Sequence, residues 1–192
     1  MNTRFWAVCA GALVTAVASA APVTYNVDPN HTYPSFAADH FGGLSVWRGK
    51  FDATSGKIVL DAATGTGTVS IKVDTSSIDF GHAKLNEHVK SSEILDVAKF
   101  PDAVYEGKLT AFKAGKPTKV EGTLTLHGVT KPVTLTIHKF KCMTNPMSKK
   151  DVCGADASAK IDRADFGVSY GKAYGFDMAV TLQIQVEAIK AD

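Results

Sequence analysis

Six histidines are the first residues of this chain that could do chemistry, and they stand at positions 31, 40, 82, 88, 127 and 138. Two histidines can share a metal ion when they are spaced i, i+2 on a strand or i, i+4 on a helix. His82 and His88 are six residues apart, and the other histidines are farther from one another. The histidine spacing therefore predicts no metal site.

Acid–base and nucleophilic groups show no catalytic pattern either. Asp162 and Asp165 flank Arg163, which is more typical of a turn held by hydrogen bonds than of an acid–base pair. No serine lies in a Gly-x-Ser-x-Gly element, and no Gly-x₄-Gly-Lys phosphate loop is present. We therefore expect a binding protein and not an enzyme, in which His40 and Arg163 serve structure or contact a ligand headgroup.

Two cysteines, Cys142 and Cys153, follow the apolar N-terminal segment that holds Cys9. An even number of cysteines in an exported chain favours a disulfide, and the alternative is a pair of structural thiols. Their spacing is not the Cys-x-x-Cys of a zinc site. We expect the bond to pin a polar loop with a turn at Asn145-Pro146, and closing so short a loop is worth about 3 kcal/mol.

The N-terminus reads as a secretory signal at residues 1–20. Arg4 precedes an apolar run at residues 5–17, and the small residues 18–20 suit cleavage after Ala20. An apolar run of about 13 residues is shorter than the about 20 needed to cross a bilayer. The sequence thus predicts a periplasmic protein whose residues 21–192 form a single domain.

Charge gives no sign of a nucleic-acid partner. Without Arg4 the chain carries 20 basic and 19 acidic residues, a net charge near +1. A balance so close to neutral predicts neither nucleic-acid binding nor attraction of the whole chain to an anionic membrane.

Alternation of apolar and polar residues with a period of two runs through most of the chain. In the last segment Phe176, Met178, Val180, Leu182 and Ile184 alternate with mainly polar residues. This pattern is typical of half-buried antiparallel strands. It predicts strands near residues 23–28, 33–41, 44–51, 56–62, 65–75, 102–113, 117–127, 131–141, 155–163 and 177–190.

Residues 82–100 depart from this period. Leu85, Val89 and Leu95 fall at helical spacing, and Pro101 ends the segment. We expect one short helix or two, which would act as a flap on a closed antiparallel β-barrel. A barrel of eight strands is either filled by its own side chains or encloses one small ligand, and strand count alone leaves both alternatives open.

Several short elements follow one another along the chain in a characteristic order and spacing. Phe36, His40 and Gly42 form a Phe-x₃-His-x-Gly element, followed by Gly49-Lys50-Phe51. The longest element covers residues 122–133, and residues 161–167 complete the series. Together these elements resemble the YceI-like family of bacterial lipid-binding proteins. The chain has Phe80 and Leu85-Asn86 where the family often has Thr and an Arg-Asp pair.

The resemblance implies an extended lipocalin-like barrel that holds a long isoprenoid lipid, such as a prenyl phosphate or a quinone, in an apolar tunnel. No other cofactor is implied. Alternation then predicts the residues that contact the ligand, with Leu85, Val89 and Leu95 as a lid and Tyr170 in a glycine-flanked loop that is either a gate or a plain mobile loop. The predicted ligand-binding residues are Phe36, His40, Phe51, Ile71, Leu85, Val89, Leu95, Tyr105, Leu109, Leu124, Ile137, Tyr170, Met178, Val180 and Leu182.

Two functions from different classes follow from these observations. The first is a periplasmic carrier for an isoprenoid lipid that hands a quinone to a membrane redox partner. The second is an envelope stress or interaction protein that acts through the surface of a filled barrel. Exposed strand edges at a barrel seam also suggest a homodimer.

Overall fold

The computed structural model describes residues 21–192, and the predicted signal peptide lies outside them. Eleven strands make up most of the described chain. They are β1 (Val23–Val27), β2 (Tyr33–His40), β3 (Ser45–Phe51), β4 (Thr54–Asp61), β5 (Thr66–Asp74), β6 (Ile78–Asp79), β7 (Asp102–Thr110), β8 (Lys119–Leu126), β9 (Val129–Thr144), β10 (Asp151–Asp162) and β11 (Ala179–Lys190). Each of the ten predicted strands is present, and only the two-residue β6 was too short to leave a periodic signal.

Eight strands close into an antiparallel barrel. Neighbouring strands pair in the order β1, β4, β5, β7, β8, β9, β10 and β11, and β1 then pairs with β11 to complete the circle. The long β11 also pairs with β2, so that Val180 faces Ala38 while Ala188 faces Val27. Strands β2, β3 and β6 therefore extend the wall beyond the closed ring, and the predicted all-β barrel is confirmed.

The two ends of the barrel carry different connections. Hairpins at residues 62–65, 111–118 and 145–150 lie at one end, here called the hairpin end. The opposite end carries the helical segment, the turn at residues 41–44 and the loop at residues 163–178, and is here called the flap end. This arrangement follows from antiparallel pairing, because connections between neighbouring strands of the ring from β4 to β11 must alternate between the ends.

One α-helix, α1 (Ala83–Lys90), confirms the predicted helical flap. It begins after His82, whose Nδ1 accepts the Leu85 N–H at 3.2 Å, and residues 91–100 follow as turns and not as a second helix. Val89 and Leu95 pack with Ile78 and Val168 in a small core of their own. Apolar contacts thus hold the flap against the end of the barrel.

The disulfide is present, and the polar loop that it was expected to pin is shorter than predicted. Cys142 and Cys153 lie directly opposite one another on β9 and β10, with Cα atoms 4.0 Å apart, and pairing continues outward to Thr144 and Asp151. Only residues 145–150 form the turn, where Asn145 Oδ1 accepts the Met147 N–H at 2.8 Å. Both strands are therefore longer than predicted, because polar residues beyond the barrel still pair.

Within the described residues, no helix is long and apolar enough to span a membrane.

Candidate ligand-binding site

An elongated cavity of about 560 Å³ runs inside the barrel. Its volume lies in the range of roughly 300–1,000 Å³ found for small-molecule sites. Its wall is almost entirely apolar, because the inward positions of the alternating strands carry Val, Ile, Leu and aromatic residues. The barrel interior is thus hollow, which decides between the two alternatives left open by the strand count.

Fourteen of the fifteen predicted contact residues line this cavity. They are Phe36, His40, Phe51, Ile71, Leu85, Val89, Leu95, Tyr105, Leu109, Leu124, Ile137, Tyr170, Val180 and Leu182. That any of them contacts a ligand stays a prediction.

Met178 is the exception: it is 5% exposed but packs away from the cavity wall. Strand β11 begins only at Ala179, whose N–H is capped by Asp177 Oδ1 at 3.0 Å. The regular alternation therefore does not reach back to residue 178.

The cavity reaches the surface at the flap end, and lining residues at the hairpin end are buried. Leu60, Leu109 and Val120 line the hairpin end and are each no more than 7% exposed. At the flap end the lining includes Phe41 and Tyr170, which are 52% and 38% exposed. A long ligand would enter at the flap end and extend towards the hairpins.

Tyr105 brings a polar group into the apolar wall. Its hydroxyl donates to the carbonyl of Val133 at 2.8 Å, with the carbonyl of Val120 at 3.2 Å. Burial raises the pKa of Tyr105 to about 12, so the phenol is neutral under physiological conditions. Because the hydroxyl proton is bonded to backbone carbonyl oxygen, the hydroxyl stabilises the wall and leaves the cavity apolar.

Aromatic side chains crowd the mouth around His40. The His40 ring meets Phe41, Phe176 and Trp47 with centroid distances of 4.5, 5.3 and 5.8 Å. Nδ1 of His40 lies 3.4 Å from the Ser45 hydroxyl. His40 is therefore a polar group in an aromatic setting, with no carboxylate among its hydrogen-bond partners in the described chain.

Gly49 explains why the Gly-Lys-Phe element matters for the cavity. A Cβ at this position would lie 2.6 Å from Cζ of Phe36. The missing side chain lets the Phe36 ring lie across β3, where it contacts Phe51 and Phe80 at centroid distances of 5.7 and 5.4 Å. These rings form the wall beneath the flap.

Arg163 is the one cationic side chain on the cavity wall. Its guanidinium donates to the carbonyl oxygens of Val168 and Tyr170 at 2.9 and 2.7 Å, which fixes the loop that carries Tyr170. Burial lowers the pKa of Arg163, yet a guanidinium stays protonated at neutral pH. The salt bridges of residues 21–192 do not include Arg163, although the nearby carboxylates of Asp162 and Asp39 act on its charge.

The flap covers the mouth with apolar side chains. Leu85, Val89 and Leu95 all face the cavity. Asn86 fixes the helix, since its Nδ2 donates to Asp79 Oδ1 and its Oδ1 accepts the Phe80 N–H, both at 2.8 Å. Leu85-Asn86 and Phe80, the positions that depart from the family pattern, therefore supply an apolar lid and its anchor.

Several lining residues were missing from the predicted set. Strand β4 contributes Thr54, Ile58 and Leu60, and the flap contributes His88. Alternation of Gly56, Ile58 and Leu60 was the available signal for β4. His88 left no such signal, because its ring is placed by a 4.9 Å contact with Tyr170 that joins the flap to the distant loop.

No group of three or more His, Cys, Asp or Glu side chains that could hold a metal ion occurs within residues 21–192.

Comparison with known proteins gives a consistent answer. The family model described as "YceI-like domain" matches residues 25–188. A UPF0312 protein of Enterobacter sp. (strain 638) is 33% identical over 172 residues, which cover 88% of each chain. Protein YceI of Salmonella arizonae is 32% identical over 160 residues, which cover 82% of each chain.

Solved structures share the fold at lower identity. A YceI protein of Campylobacter jejuni superimposes with a TM-score of 0.65 at 22% identity, covering 78% of this chain and 88% of that one. A polyisoprenoid-binding domain from Saccharophagus degradans gives a TM-score of 0.60 at 14% identity, covering 88% and 99%. Together with the barrel and its cavity, the matches show that this chain belongs to the YceI-like family.

Proposed function

We propose that the protein binds a long-chain isoprenoid lipid, a prenyl phosphate or a quinone, in the barrel cavity and carries or stores it without catalysis. The single observation that carries this proposal is the apolar cavity of about 560 Å³, which reaches the surface at the flap end. An almost purely apolar cavity that extends through the barrel fits a hydrocarbon chain.

Apolar burial alone is large enough to drive binding. If about 20 methylene equivalents enter the cavity at about 0.8 kcal/mol each, the gross gain is about 16 kcal/mol. The cost of association is about 4–15 kcal/mol. Binding therefore needs no strong headgroup site, and affinity should follow the length of the hydrocarbon tail.

The polar end of the ligand would lie at the flap end. Arg163, His40 and the carboxylate of Asp39 line the mouth on the barrel side, and Arg163 forms no salt bridge in the described chain. A phosphate there would meet a cation, and a quinone carbonyl would meet hydrogen-bond donors. The tail would then extend towards the hairpin end.

Trp47 offers a direct binding assay. It is the only tryptophan of residues 21–192 and lines the cavity at the mouth. Delipidated protein would be titrated with benzoquinones that share one headgroup and carry isoprenoid tails of increasing length. We expect quenching of Trp47 fluorescence, with affinity rising about tenfold or more for each added isoprene unit until the cavity is full.

The tail-free quinone is the control for headgroup binding and for nonspecific quenching. Equal affinity for the tail-free and the long-tailed quinone would contradict the proposal. Absence of saturable quenching by any of them would favour the second hypothesis, an envelope stress or interaction protein that acts through its surface.

We further propose that the chain is exported to the periplasm, where it passes its ligand to a membrane redox partner. The Cys142–Cys153 disulfide supports an oxidising compartment. The outer edge of β3 pairs only at Lys50 and Phe51 within the described chain, which supports a homodimer through edge pairing.

A further inference from the structure

Exposed apolar side chains are concentrated around the cavity mouth. Seven large hydrophobic residues of the described chain are exposed, and five of them lie at the flap end. These five are here called the rim: Phe41, Leu44, Val46, Tyr170 and Tyr174, with exposed fractions of 52, 75, 50, 38 and 68%. The other two, Met143 and Met147, lie at the hairpin end.

The rim is built from two chain segments that are fastened together. Asp39 Oδ2 accepts the N–H groups of Gly42 at 2.8 Å and Asp177 at 2.9 Å, and so joins the 41–44 turn to the loop before β11. A Cβ at Gly42 would lie 3.0 Å from the carbonyl oxygen of Gly175. The apolar side chains are thus held as one surface.

Phe41 is held in an unusual conformation to reach this surface. Its φ is +52°, a region that bulky residues seldom adopt, and yet its ring is half exposed. The ring also contacts Phe176 at a centroid distance of 4.8 Å. Residues held in sparsely populated backbone regions cluster at functional sites.

The rim continues directly into the cavity. Phe41 and Tyr170 both line the cavity and are exposed at the surface. A lipid leaving the cavity would therefore stay in contact with apolar side chains until it reached whatever covers the rim.

Two exposed cations lie beside the rim and could meet an anionic surface. Arg48 is two residues after Val46 on β3, Lys172 lies between Tyr170 and Tyr174, and neither forms a salt bridge in the described chain. Asp39, Asp165 and Asp177 lie at the same end, and Asp39 and Asp177 accept backbone N–H groups while keeping their negative charge.

We propose that the rim docks on an anionic phospholipid bilayer, so that the cavity exchanges its ligand with the membrane without a passage through water. Aromatic and aliphatic side chains flanked by Arg and Lys are the composition of a membrane-interface surface. The inference rests on the proposed lipid-binding function, because the occupant of the cavity decides what its mouth must face.

Vesicle sedimentation tests this docking apart from ligand binding. Delipidated protein would be mixed with sucrose-loaded vesicles of equal parts phosphatidylglycerol and phosphatidylcholine, or of phosphatidylcholine alone. The rim variant Leu44→Ser/Tyr174→Ser changes residues outside the cavity wall, and Met143→Ser/Met147→Ser is the matched control at the hairpin end. We expect the rim variant to bind about tenfold more weakly than wild type, the control to bind as wild type, and binding to weaken without phosphatidylglycerol.

Docking would be contradicted if wild type fails to sediment with either vesicle, or if both double variants lose binding equally. If the rim variant instead converts a dimer into a monomer while vesicles have no effect, the rim binds a second copy and the proposal is wrong. Quenching of Trp47 fluorescence by long-tailed quinone, measured on the same proteins, separates the two proposals. If quenching is intact but the protein does not bind vesicles, only the docking proposal is wrong. If the protein binds vesicles but shows no quenching, only the lipid-binding function is wrong.

Discussion

Replacing Leu124 by tryptophan distinguishes a hollow barrel from a filled one. Leu124 faces the cavity from β8, opposite Tyr105 on β7, and remains partly exposed to the cavity space. The indole adds six non-hydrogen atoms. A filled core would accept them only with strain of about 1–3 kcal/mol, whereas an open cavity holds them at little cost.

The same indole should displace ligand. If it removes three to four methylene equivalents from the cavity at about 0.8 kcal/mol each, ligand affinity falls by about 2.4–3.2 kcal/mol, roughly 60- to 200-fold. Urea unfolding of delipidated protein measures the first effect, and displacement of a dansylated isoprenoid measures the second. We expect near-unchanged stability together with weakened binding.

Met178→Trp is the matched control, because Met178 is as buried as the cavity residues but does not line the cavity. It should lower the free energy of unfolding by about 1–3 kcal/mol and leave affinity unchanged in the folded protein. The reasoning is refuted if Leu124→Trp destabilises the delipidated protein as much as Met178→Trp does, while ligand affinity stays at the wild-type value.

Three further predictions concern single groups. Cys142→Ser/Cys153→Ser should lower the free energy of unfolding by about 3 kcal/mol, since the bond joins cysteines that are 11 residues apart in sequence. Urea unfolding with and without reductant checks this. A wild-type protein whose unfolding does not respond to reductant would contradict it. His40→Gln should leave the fold intact and at most weaken ligand retention; a turnover activity abolished by this change with normal binding would show that His40 is catalytic. The pKa of Tyr105 is raised by burial to about 12, above the value of about 10 in an unfolded chain, so its contribution to stability is complete below pH of about 10 and is lost as pH rises towards 12. Between pH 9 and 11.5 the free energy of unfolding of wild type should therefore fall by about 1 kcal/mol relative to that of Tyr105→Phe. This value is smaller than the full effect of the pKa difference because the ring is partly exposed. Parallel curves of unfolding free energy against pH for the two proteins would contradict the assignment.

Strand positions and inward faces could be predicted from the sequence because one barrel face is dry and the other is wet. The alternation that placed Ile71, Leu124 and Val180 on the cavity wall records this difference residue by residue. It failed at Met178, where a capping turn interrupts the strand, and at the β9–β10 hairpin, where pairing continues among polar residues without any apolar signal.

The mouth was harder to predict, since its contacts join segments that are distant in sequence. Asp39 meets Asp177 across 138 residues, and His88 meets Tyr170 through a ring contact that no spacing rule describes. The hollow interior also left no local mark, because a cavity wall and a filled core use the same apolar residues. Resemblance to a family suggested the hollow barrel, and the closed strand order with its cavity then confirmed it.

Mass spectrometry of an organic extract tests the central claim most directly. Protein purified from its native host without detergent would be extracted and compared with the Leu124→Trp variant prepared in parallel. We predict close to one long-chain isoprenoid lipid per wild-type protein and markedly less in the variant. An extract that contains no isoprenoid, or equal traces of mixed phospholipids in both proteins, would contradict the assignment of this cavity to an isoprenoid ligand.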